Sequence, residues 1–487
     1  MTTPKRFICA ATIAMLSHLT VGCTTIEAET IVSLAPGQNV NTRIQNAPAG
    51  AIFRFAPGTY RRLSFVPKDN QQFIGRPGVV LSGAVEVTGW KKGRDFWRKT
   101  WDRTRLRRSG RCRKRTPLCR YREDLFVDGA LYQRVASYAD LGPRKWIDDG
   151  QVLYLGDDPT NRKVELSVTP RAFGGRAKNV VLKDLVIEQY ASPAQKGAID
   201  AKRGVGWLLE NVVVRFNHGV GIRIGKKFRL RGGSYSYNGQ LGVGGDGTDS
   251  IIEDAEIAHN NFAGFSAAWE AGGSKFWRAE NLIVRRACVH HNDGPGLWTD
   301  MNNKNILYEH NKVFENTGDG IKHEISFSAT IRNNLVVRNG RGKDNWLWGS
   351  QILVQNSNDV VVHNNIVELA DRFGNGISII NQDREHDRDP GWEGSYIAKD
   401  NRVFDNRIIH LGSRGRNGLV ADHLRTWFHK DGNNKFDKNT YVMPRENIKS
   451  FGIDTRFRTW KSARKRGFEP NGTLKIEQRK PTAVSCP

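Results

Sequence analysis

Residues 316–321 read Asn-Thr-Gly-Asp-Gly-Ile, and the same phrase recurs along the middle of the chain: an asparagine, three residues, a glycine and an apolar residue. The first five copies begin 21, 22, 32 and 24 residues apart, at Asn217, Asn238, Asn260, Asn292 and Asn316. A period just over twenty residues, rich in Val, Ile, Asn and Gly, is typical of a solenoid of short parallel strands. Successive turns of such a solenoid place equivalent residues in columns about 4.8 Å apart. Residues that are distant in sequence can therefore form one site.

The recurring asparagines and glycines are expected to serve the fold rather than the chemistry. Asparagine tolerates turn conformations, and stacked asparagine side chains form hydrogen-bonded ladders at the corners of a solenoid. Glycine likewise serves the turn into each strand. We predict no catalytic role for either.

The composition is that of a turn-rich β protein. The chain has 487 residues, of which 50 are glycine and 38% are apolar; this length is ordinary for a solenoid. The net charge is +25, and residues 91–122 alone hold 15 basic and 2 acidic side chains. In an exported protein such a run favours acidic polysaccharide or an anionic cell surface, unless it is only a solvated basic insertion. We predict no nucleic-acid partner.

The N-terminus predicts export. Two basic residues precede the apolar run 7–16, as in a signal peptide, and residues 19–23 (Leu-Thr-Val-Gly-Cys) resemble the end of a lipoprotein signal. The sequence therefore predicts a signal over 1–23. It predicts a protein that is periplasmic, extracellular or attached to the outer membrane through a lipidated Cys23. The alternative for Cys23 is an ordinary residue near a plain cleavage site.

Four further cysteines allow different interpretations. Cys112 and Cys119 lie seven positions apart in a polar loop and are predicted to pair in an oxidising compartment. Cys288 lies in a strand phrase and is predicted to be a small buried apolar residue. Cys486 has no readable role, and no spacing of cysteine and histidine suggests a zinc site.

Two phrases outside the repeat carry a family resemblance. Residues 123–129 (Glu-Asp-Leu-Phe-Val-Asp-Gly) and 153–159 (Leu-Tyr-Leu-Gly-Asp-Asp-Pro), together with the repeats, resemble the right-handed parallel β-helix family of the pectate-lyase-like group. The resemblance covers residues 30–425 and implies an all-β solenoid of carbohydrate-active type. It implies no single activity, because this fold hosts hydrolases, lyases, epimerases, esterases and non-catalytic spikes.

The domain boundaries follow from the interruptions of the repeat. We predict an N-terminal cap and first turns over 30–88, and a basic insertion with a small β-subdomain over 89–165. The main right-handed parallel β-helix is predicted over 166–425, with a C-terminal cap and tail over 426–487. Caps are needed because an open end of the coil would pair with other chains. We expect a monomer.

An acidic column emerges when each repeat is numbered from its glycine. The position after the glycine is always apolar and points into the coil, so the second and fourth positions point outward. The fourth position holds Asp246, Asp300 and Glu324, and the second holds Trp298 and Lys322. We predict these five residues on one outer face, with Trp298 and Lys322 as substrate contacts.

Four further residues are expected beside this column. The turn before Asp300 carries only an alanine at the fourth position, so Glu270 is predicted to fill that gap. Trp269 would offer a flat face for a sugar. His323 falls on the inward side, either as a satisfied core histidine or as support for the adjacent glutamate. Gln351 of the following turn is predicted to bind a sugar hydroxyl.

The column predicts acid–base chemistry. Carboxylates on adjacent turns repel each other, so one of them should have a raised pKa. Two carboxyl groups with separated pKa values are what glycoside hydrolysis requires, one as acid and one as base or nucleophile. We therefore predict a glycoside hydrolase of extracellular polysaccharide, acidic or neutral, with Asp300 and Glu324 as the pair and Asp246 or Glu270 assisting. It requires no cofactor.

Two other functions remain open. A lyase or epimerase acting on a uronate polymer needs a base such as Lys322 and a cation that neutralises the sugar acid. In that case Asp246, Asp300 and Glu324 would hold Ca²⁺. A non-catalytic solenoid that binds polysaccharide or a cell surface would use the same face without forming a product.

Overall fold

The computed structural model describes residues 29–101, 106–342, 346–384, 396–421 and 432–486. The predicted signal and Cys23 lie outside the described residues. Within them, no helix is both long and apolar enough to cross a membrane.

The chain winds into a coil whose turns each contribute strands to three long sheets, here called sheets I, II and III. Neighbouring strands are parallel, except for the last pair of sheet III. Sheet I consists of Ile31–Leu34, Ile52–Phe55, Gln72–Ile74, Val181–Lys183, Leu208–Glu210, Arg229–Arg231, Ile251–Glu253, Ile283–Arg285, Ile306–Glu309, Ala329–Arg332, Val360–His363, Arg402–Phe404 and Lys435–Asp437. Sheet II consists of Gly58–Arg61, Val79–Ser82, Val186–Glu188, Val213–Arg215, Ser234–Ser236, Glu256–Ala258, Cys288–His290, Lys312–Phe314, Leu335–Val337, Ile366–Leu369, Arg407–His410, Thr440–Met443 and Thr473–Ile476. Sheet III consists of Phe173–Gly174, Gly197–Asp200, Val220–Ile224, Leu241–Gly245, Gly272–Phe276, Leu297–Asp300, Ile321–Glu324, Ser350–Gln355, Asn375–Asn381, Asn417–Ala421, Phe451–Ile453 and Arg456–Arg458.

A smaller, mostly antiparallel sheet interrupts the coil. In sheet order its strands are Ala84–Glu86, Val164–Ser167, Leu125–Val127, Ala130–Arg134, Lys145–Asp148, Val152–Leu155, Trp97–Thr100 and Lys91–Lys92. The sequence places this subdomain over 89–165, and its outer strands extend a few residues beyond both limits. It has an apolar core of its own around Trp146. Its basic loop reaches the coil, where Arg113 forms an ion pair of 2.5 Å with Asp293.

Short helices close the ends and the detours of the coil. The helix Val40–Asn46 packs Val40 and Ile44 against the first turn, which covers that open end. The other α-helices are Ala267–Glu270 and Trp460–Arg464, and 3₁₀ turns span Pro117–Arg120 and Tyr138–Asp140. The helix Trp460–Arg464 buries Trp460 and Ala463 at the opposite end.

The interior of the coil is apolar and tightly stacked. The inward residues of sheet III, such as Leu297, Ile321 and Ile352, are fully buried and lie on successive strands. At Gly296 a Cβ atom would lie 2.7 Å from the carbonyl oxygen of Gly320 and 2.8 Å from an asparagine side chain. Glycine is therefore required at this corner by the close approach of the next turn.

The recurring asparagines form the ladder that the repeat predicts. The side chain of Asn292 donates to Asn316 at 2.9 Å, and Asn316 donates to Asn339 at 2.8 Å. Each asparagine also donates to a backbone carbonyl of the turn before it, as Asn316 does to Val289 at 3.1 Å. The ladder satisfies backbone groups at a corner where the chain leaves the sheet.

Removing one rung of this ladder is expected to destabilise the coil. Asn316→Ala deletes the acceptor of two donors of Asn292 and leaves buried carbonyl groups without a partner. Each such group costs about 1–3 kcal/mol, so we expect a loss of about 3 kcal/mol in chemical denaturation. Asn471→Ala is the control because Asn471 is exposed; its loss should stay below about 1 kcal/mol. Equal losses in the two variants would contradict the ladder's role.

The coil continues beyond residue 425, where the sequence predicts a cap and tail. Lys435–Asp437, Thr440–Met443, Phe451–Ile453 and Thr473–Ile476 add strands to all three sheets. The glycine phrase is absent there, but Asn434 and Asn439 continue the side-chain ladders from the turn before. Without the glycine, these turns do not show the repeat in their sequence.

Both pairs of described cysteines are joined. Cys112 and Cys119 form a disulfide within the basic loop, as their spacing predicts. The sequence predicts that Cys288 is a small buried apolar residue. It is buried, but it forms a disulfide with Cys486. The C-terminal segment runs back along sheet II, where Glu368 accepts from Thr482 at 3.0 Å. A contact over 198 residues leaves no local signal in the sequence.

Candidate active site

The structure contains the central part of the predicted acidic column. Asp300 and Glu324 are directly paired in the register of neighbouring strands of sheet III, and so are Trp298 and Lys322. All four line one cavity of about 1240 Å³ on the outer face of that sheet, together with Trp269. Neighbouring strands lie about 4.8 Å apart, so the two carboxyl groups act on the same small volume.

The turn before Asp300 differs from its sequence assignment. The strand between Leu241–Gly245 and Leu297–Asp300 is Gly272–Phe276, whereas the sequence places Ala268 in that register. The chain continues the asparagine ladder at Asn260 and then makes a detour through the helix Ala267–Glu270. The long step of 32 residues in the repeat was the signal of this detour. It did not show which glycine begins the strand.

The corrected register adds Lys275 to the site. Lys275 occupies the same position in its strand as Trp298 and Lys322 in the next two. Its ammonium lies 2.7 Å from the Oδ2 atom of Asp300 and donates to the carbonyl of Trp269 at 2.9 Å. The basic residue beside Asp300 is therefore Lys275, which the sequence analysis missed.

Glu324 is a buried carboxylate held by cations. Its Oε2 atom lies 2.6 Å from the ammonium of Lys322 and accepts from the indole N–H of Trp298 at 3.1 Å. Its Oε1 atom lies 3.4 Å from the guanidinium of Arg384. Burial would raise the pKa of Glu324, but Lys322, Arg384 and Lys275 outweigh burial and hold the pKa below its usual range. Glu324 is therefore ionised at neutral pH.

The pKa of Asp300 is shifted in the opposite direction. Burial, and then the negative charge of Glu324, raise the pKa of Asp300 above its usual value. Lys275 acts against this rise without cancelling it. Asp300 is thus the member of the pair that holds a proton more readily.

A third carboxyl group, Asp319, lies in the same cavity. Its Oδ1 atom accepts from the backbone N–H of Ser350 at 2.8 Å. Burial raises the pKa of Asp319. Asp319 precedes the glycine of its repeat, so the alternation of strand faces after that glycine does not predict its place in the site. Together with Glu324, it raises the pKa of Lys322 despite the burial of that lysine.

Trp298 is a positioning side chain rather than the exposed platform that the sequence predicts. Only 3% of its surface is accessible. The ammonium groups of Lys275 and Lys322 lie 3.9 and 4.8 Å from its ring centroid, which is the range of cation–π contact. The tryptophans that line the cavity with more exposed surface are Trp269 and Trp348.

Asp246 lies outside the cavity. Asp246 and Asp300 lie two strands apart, and Trp277 occupies the equivalent position on the strand between them. The Oδ1 atom of Asp246 accepts from the backbone N–H and the hydroxyl of Thr248, at 3.1 and 2.5 Å. Asp246 is not among the described residues that line the cavity. The predicted assistance to Asp300 has no geometric basis.

Glu270 does not fill a gap in the column. It is buried at the end of its helix, where it forms an ion pair of 3.3 Å with Arg223. Its other oxygen accepts from Gln195 at 2.5 Å. These contacts fasten the detour to the preceding turns, and the predicted substrate contact is not present in the described cavity lining.

His323 and Gln351 both serve the interior. The Nε2–H group of His323 donates to the carbonyl of Phe327 at 2.6 Å, and burial lowers the pKa of His323 to about 4, so it is neutral. Of the two interpretations of His323, the structure therefore favours a core histidine whose hydrogen bonds are satisfied. Gln351 takes the register position of the glycine and accepts from Asn339 at 2.9 Å. It continues the ladder and cannot reach a sugar outside.

The next outward residue after Glu324 is Gln355. It pairs in register with Glu324, is buried and lines the cavity. Its Nε2 group donates to Gln382 at 2.7 Å, while its Oε1 atom has no hydrogen-bond partner among the described residues. Gln355 was missed because its strand begins with Gln351 in place of glycine.

The structure does not bring together the three carboxylates that the calcium alternative requires. Calcium requires six to eight oxygen ligands, and here Asp300 and Glu324 each hold a lysine ammonium at 2.7 and 2.6 Å. Asp246, the predicted third ligand, is two strands away from Asp300. The three residues are not among the groups of the described chain whose ligand atoms converge.

Comparisons with known proteins agree with this architecture. Residues 197–359 match a family model described as right handed beta helix region. A comparison with proteins of curated function found no match. The structure is similar to that of XylC in complex with xylose, with a TM-score of 0.70 and 16% identity over 92% of this chain and 86% of that chain.

Two further solved structures share less of the fold. The A-module of the Azotobacter vinelandii mannuronan C-5 epimerase AlgE6 has 12% identity over 91% of this chain and 93% of its own, with a TM-score of 0.42. The periplasmic alginate epimerase AlgG has 10% identity over 91% and 83%, with a TM-score of 0.41. Identities this low bear on the fold and not on the activity. The chain is a right-handed parallel β-helix, and this prediction of fold class is confirmed.

Proposed function

We propose that this protein is an exported glycoside hydrolase that cleaves a polysaccharide with Asp300 and Glu324 as its catalytic pair. The observation that carries the proposal is that two carboxyl groups on adjacent strands of one cavity have pKa values shifted in opposite directions. Glycoside hydrolysis needs one carboxyl group that gives a proton and one carboxylate that attacks or activates water.

The roles follow from the protonation states. Asp300 gives its proton to the glycosidic oxygen as the bond from that oxygen to the anomeric carbon breaks. An oxygen of Glu324 bonds to the anomeric carbon, and a water molecule then displaces it while Asp300 takes the proton of that water. Glu324 takes the role of the nucleophile because it is the ionised member of the pair and lies on the strand next to Asp300.

The cavity suits a saccharide. Its volume exceeds the range of about 300–1,000 Å³ that is common for small-molecule sites, so it has room for more than one sugar unit. Trp269 and Trp348 line the cavity and offer apolar ring faces. XylC, which shares the fold, was solved with xylose bound, and this also supports a sugar as the ligand.

A lyase or epimerase of a uronate polymer is the second candidate. Arg111, Arg341 and Arg384 line the cavity with the two lysines, and such a cationic rim would attract a sugar carboxylate. The base would be Lys322 or Lys275. The close pairing of Lys322 with ionised Glu324 at 2.6 Å favours hydrolysis, because Glu324 and Asp319 raise the pKa of Lys322 and a lysine held as an ammonium is a poor base.

The direct test is product analysis over acidic and neutral polysaccharides. Wild type, Asp300→Asn and Glu324→Gln are compared with Asp246→Asn, the control from the same column outside the cavity. New reducing ends without ultraviolet absorbance, lost in the first two variants and kept in the control, would support hydrolysis. Absorbance from an unsaturated product would replace the proposal with a lyase. Binding that all variants retain, without any product, would point to a non-catalytic solenoid.

Export is supported by the chemistry of the cysteines. Both described cysteine pairs form disulfides, which persist in oxidising compartments such as the periplasm and the extracellular space. The proposed location is therefore the periplasm, the outer membrane through Cys23, or the medium.

The pH dependence of the reaction should depend on the cations around Glu324, because they lower the pKa of this residue. The active form requires ionised Glu324, so activity falls as pH drops through the pKa of Glu324. Lys322→Met removes a charge that lowers this pKa. The acid limb of kcat/KM should therefore move to higher pH by about 1 unit or more. Lys304→Met, at an exposed lysine, should leave the limb in place. An unmoved limb in Lys322→Met would show that Glu324 is not the titrating group.

A further inference from the structure

A stack of aromatic rings runs along the outer edge of sheet II, away from the cavity on sheet III. Tyr237, His259 and His291 each follow the last residue of a strand and share a positive φ of 52–55°. The rings of Tyr237 and His259 stack with centroids 4.6 Å apart, and those of His259 and His291 with centroids 5.1 Å apart. Successive turns therefore bring histidines 259 and 291, which are 32 residues apart, to one place.

His290 adds a third imidazole. Its Nδ1 atom lies 2.9 Å from the Nδ1 atom of His291. The opposite nitrogens of both rings face carboxylates: Nε2 of His290 lies 3.3 Å from Glu256, and Nε2 of His291 lies 2.9 Å from Glu315. Glu315 is in turn paired with Arg338 at 3.3 Å, which fixes it in place.

These contacts decide the tautomers. A carboxylate only accepts hydrogen bonds, so each Nε2 atom carries the hydrogen and donates it to Glu256 or Glu315. Each Nδ1 atom then carries a lone pair, and two lone pairs face each other at 2.9 Å. Two such lone pairs repel unless a cation lies in front of them. A histidine that donates Nε2–H to a carboxylate and offers Nδ1 has the arrangement usual for metal ligands.

A third nitrogen donor completes the group. One ring nitrogen from each of His259, His290 and His291 lies within 4.8 Å of one ring nitrogen of each of the other two. The sulfur atoms of Cys288 and Cys486 are also close to His290, but their disulfide leaves them poor ligands. A proton shared between two nitrogens would involve His290 and His291 alone, whereas a metal ion would also engage His259.

We propose that His259, His290 and His291 bind one divalent late transition-metal ion, Zn²⁺ or Cu²⁺, at a site distinct from the catalytic cavity. Imidazole nitrogen is a preferred ligand of both ions. Two nitrogens about 2.0–2.1 Å from one ion are about 2.9 Å apart when they subtend a right angle, which is the separation of the two Nδ1 atoms. The ion links two neighbouring turns of the coil beside the disulfide that fastens the C-terminal segment.

The test is binding of ZnCl₂ by isothermal titration calorimetry, with protein that carries no polyhistidine tag and without reductant. The same protein with one equivalent of CuSO₄ is followed by electron paramagnetic resonance, in which coordinated imidazole nitrogens give resolved splittings. One ion per chain, with splittings from at least two nitrogens, is expected. The absence of saturable binding of either ion would overturn the proposal.

Variants assign the site. His259→Asn and His291→Asn preserve the positive φ, which asparagine tolerates, and remove an imidazole. Each should weaken Zn²⁺ binding at least 10-fold and abolish the rise in Tm that Zn²⁺ causes in wild type. His310→Asn is the matched control, since His310 is also at positive φ (56°). Unchanged affinity in both His259→Asn and His291→Asn, or an equal loss in His310→Asn, would overturn the site. Circular dichroism of each variant separates lost binding from lost folding.

Discussion

Glu324→Gln is expected to lower kcat by about 10³-fold or more while the fold is retained. The substitution keeps the size of the side chain but removes the negative charge that lies 2.6 Å from Lys322 and 3.4 Å from Arg384. A neutral amide can neither bond to the anomeric carbon nor stabilise the positive charge of an oxocarbenium-like transition state. The measurement is steady-state release of reducing ends at saturating substrate.

A truncated variant, Glu324→Ala, distinguishes a nucleophile from a base. If Glu324 is the nucleophile, a small anion such as azide should enter the space that the missing side chain leaves and restore part of the rate. The product would then be a glycosyl azide of inverted configuration. Asp246→Asn, whose carboxylate is bonded to Thr248 outside the cavity, should keep activity within about threefold of wild type. Full activity in Glu324→Gln would remove this residue from the mechanism.

Asp300→Asn is expected to lower kcat by about 10²–10⁴-fold on a polysaccharide, but far less on an aryl glycoside with an acidic phenol as leaving group. A sugar alkoxide is a poor leaving group and needs a proton, and burial and the charge of Glu324 raise the pKa of Asp300, which makes it the better proton donor of the pair. An acidic phenol leaves without that proton. The ratio of the two losses therefore measures the role of Asp300 as acid rather than its contribution to folding.

Asp319→Asn is the control for this experiment. Asp319 is also a buried carboxyl group of the cavity with a raised pKa, but its Oδ1 atom is held by the backbone N–H of Ser350. Loss of Asp319 should affect the polysaccharide and the activated substrate to a similar extent. If Asp319→Asn shows the selective loss and Asp300→Asn does not, the acid is Asp319. If Glu324→Gln shows the selective loss on the polysaccharide, Glu324 is the acid and Asp300 is the nucleophile.

The sequence allowed the central pair to be found because two local rules suffice for it. The alternation of strand faces and the repeat of 24 residues between Asn292 and Asn316 place Asp300 and Glu324 side by side. The same rules failed one turn earlier. There the detour through Ala267–Glu270 moves the start of the strand to Gly272, so that Lys275 takes the second position of that turn and Trp277 the fourth. The geometry of a detour depends on what it packs against, so a period cannot predict it.

The sequence by itself determined the β-helix, the asparagine ladder and the column that carries Asp300 and Glu324, because each depends on spacing within one or two turns. Only the tertiary structure decided which cations surround that pair, that Trp298 is buried beneath two lysines, and that Asp246 is separated from the site by Trp277. It also decided that Cys288 bonds to Cys486 and that three histidines of two turns converge. The physical reason is that pKa values, burial and side-chain pairing depend on distances between turns and on closure across the whole coil, which the order of residues along one turn does not contain.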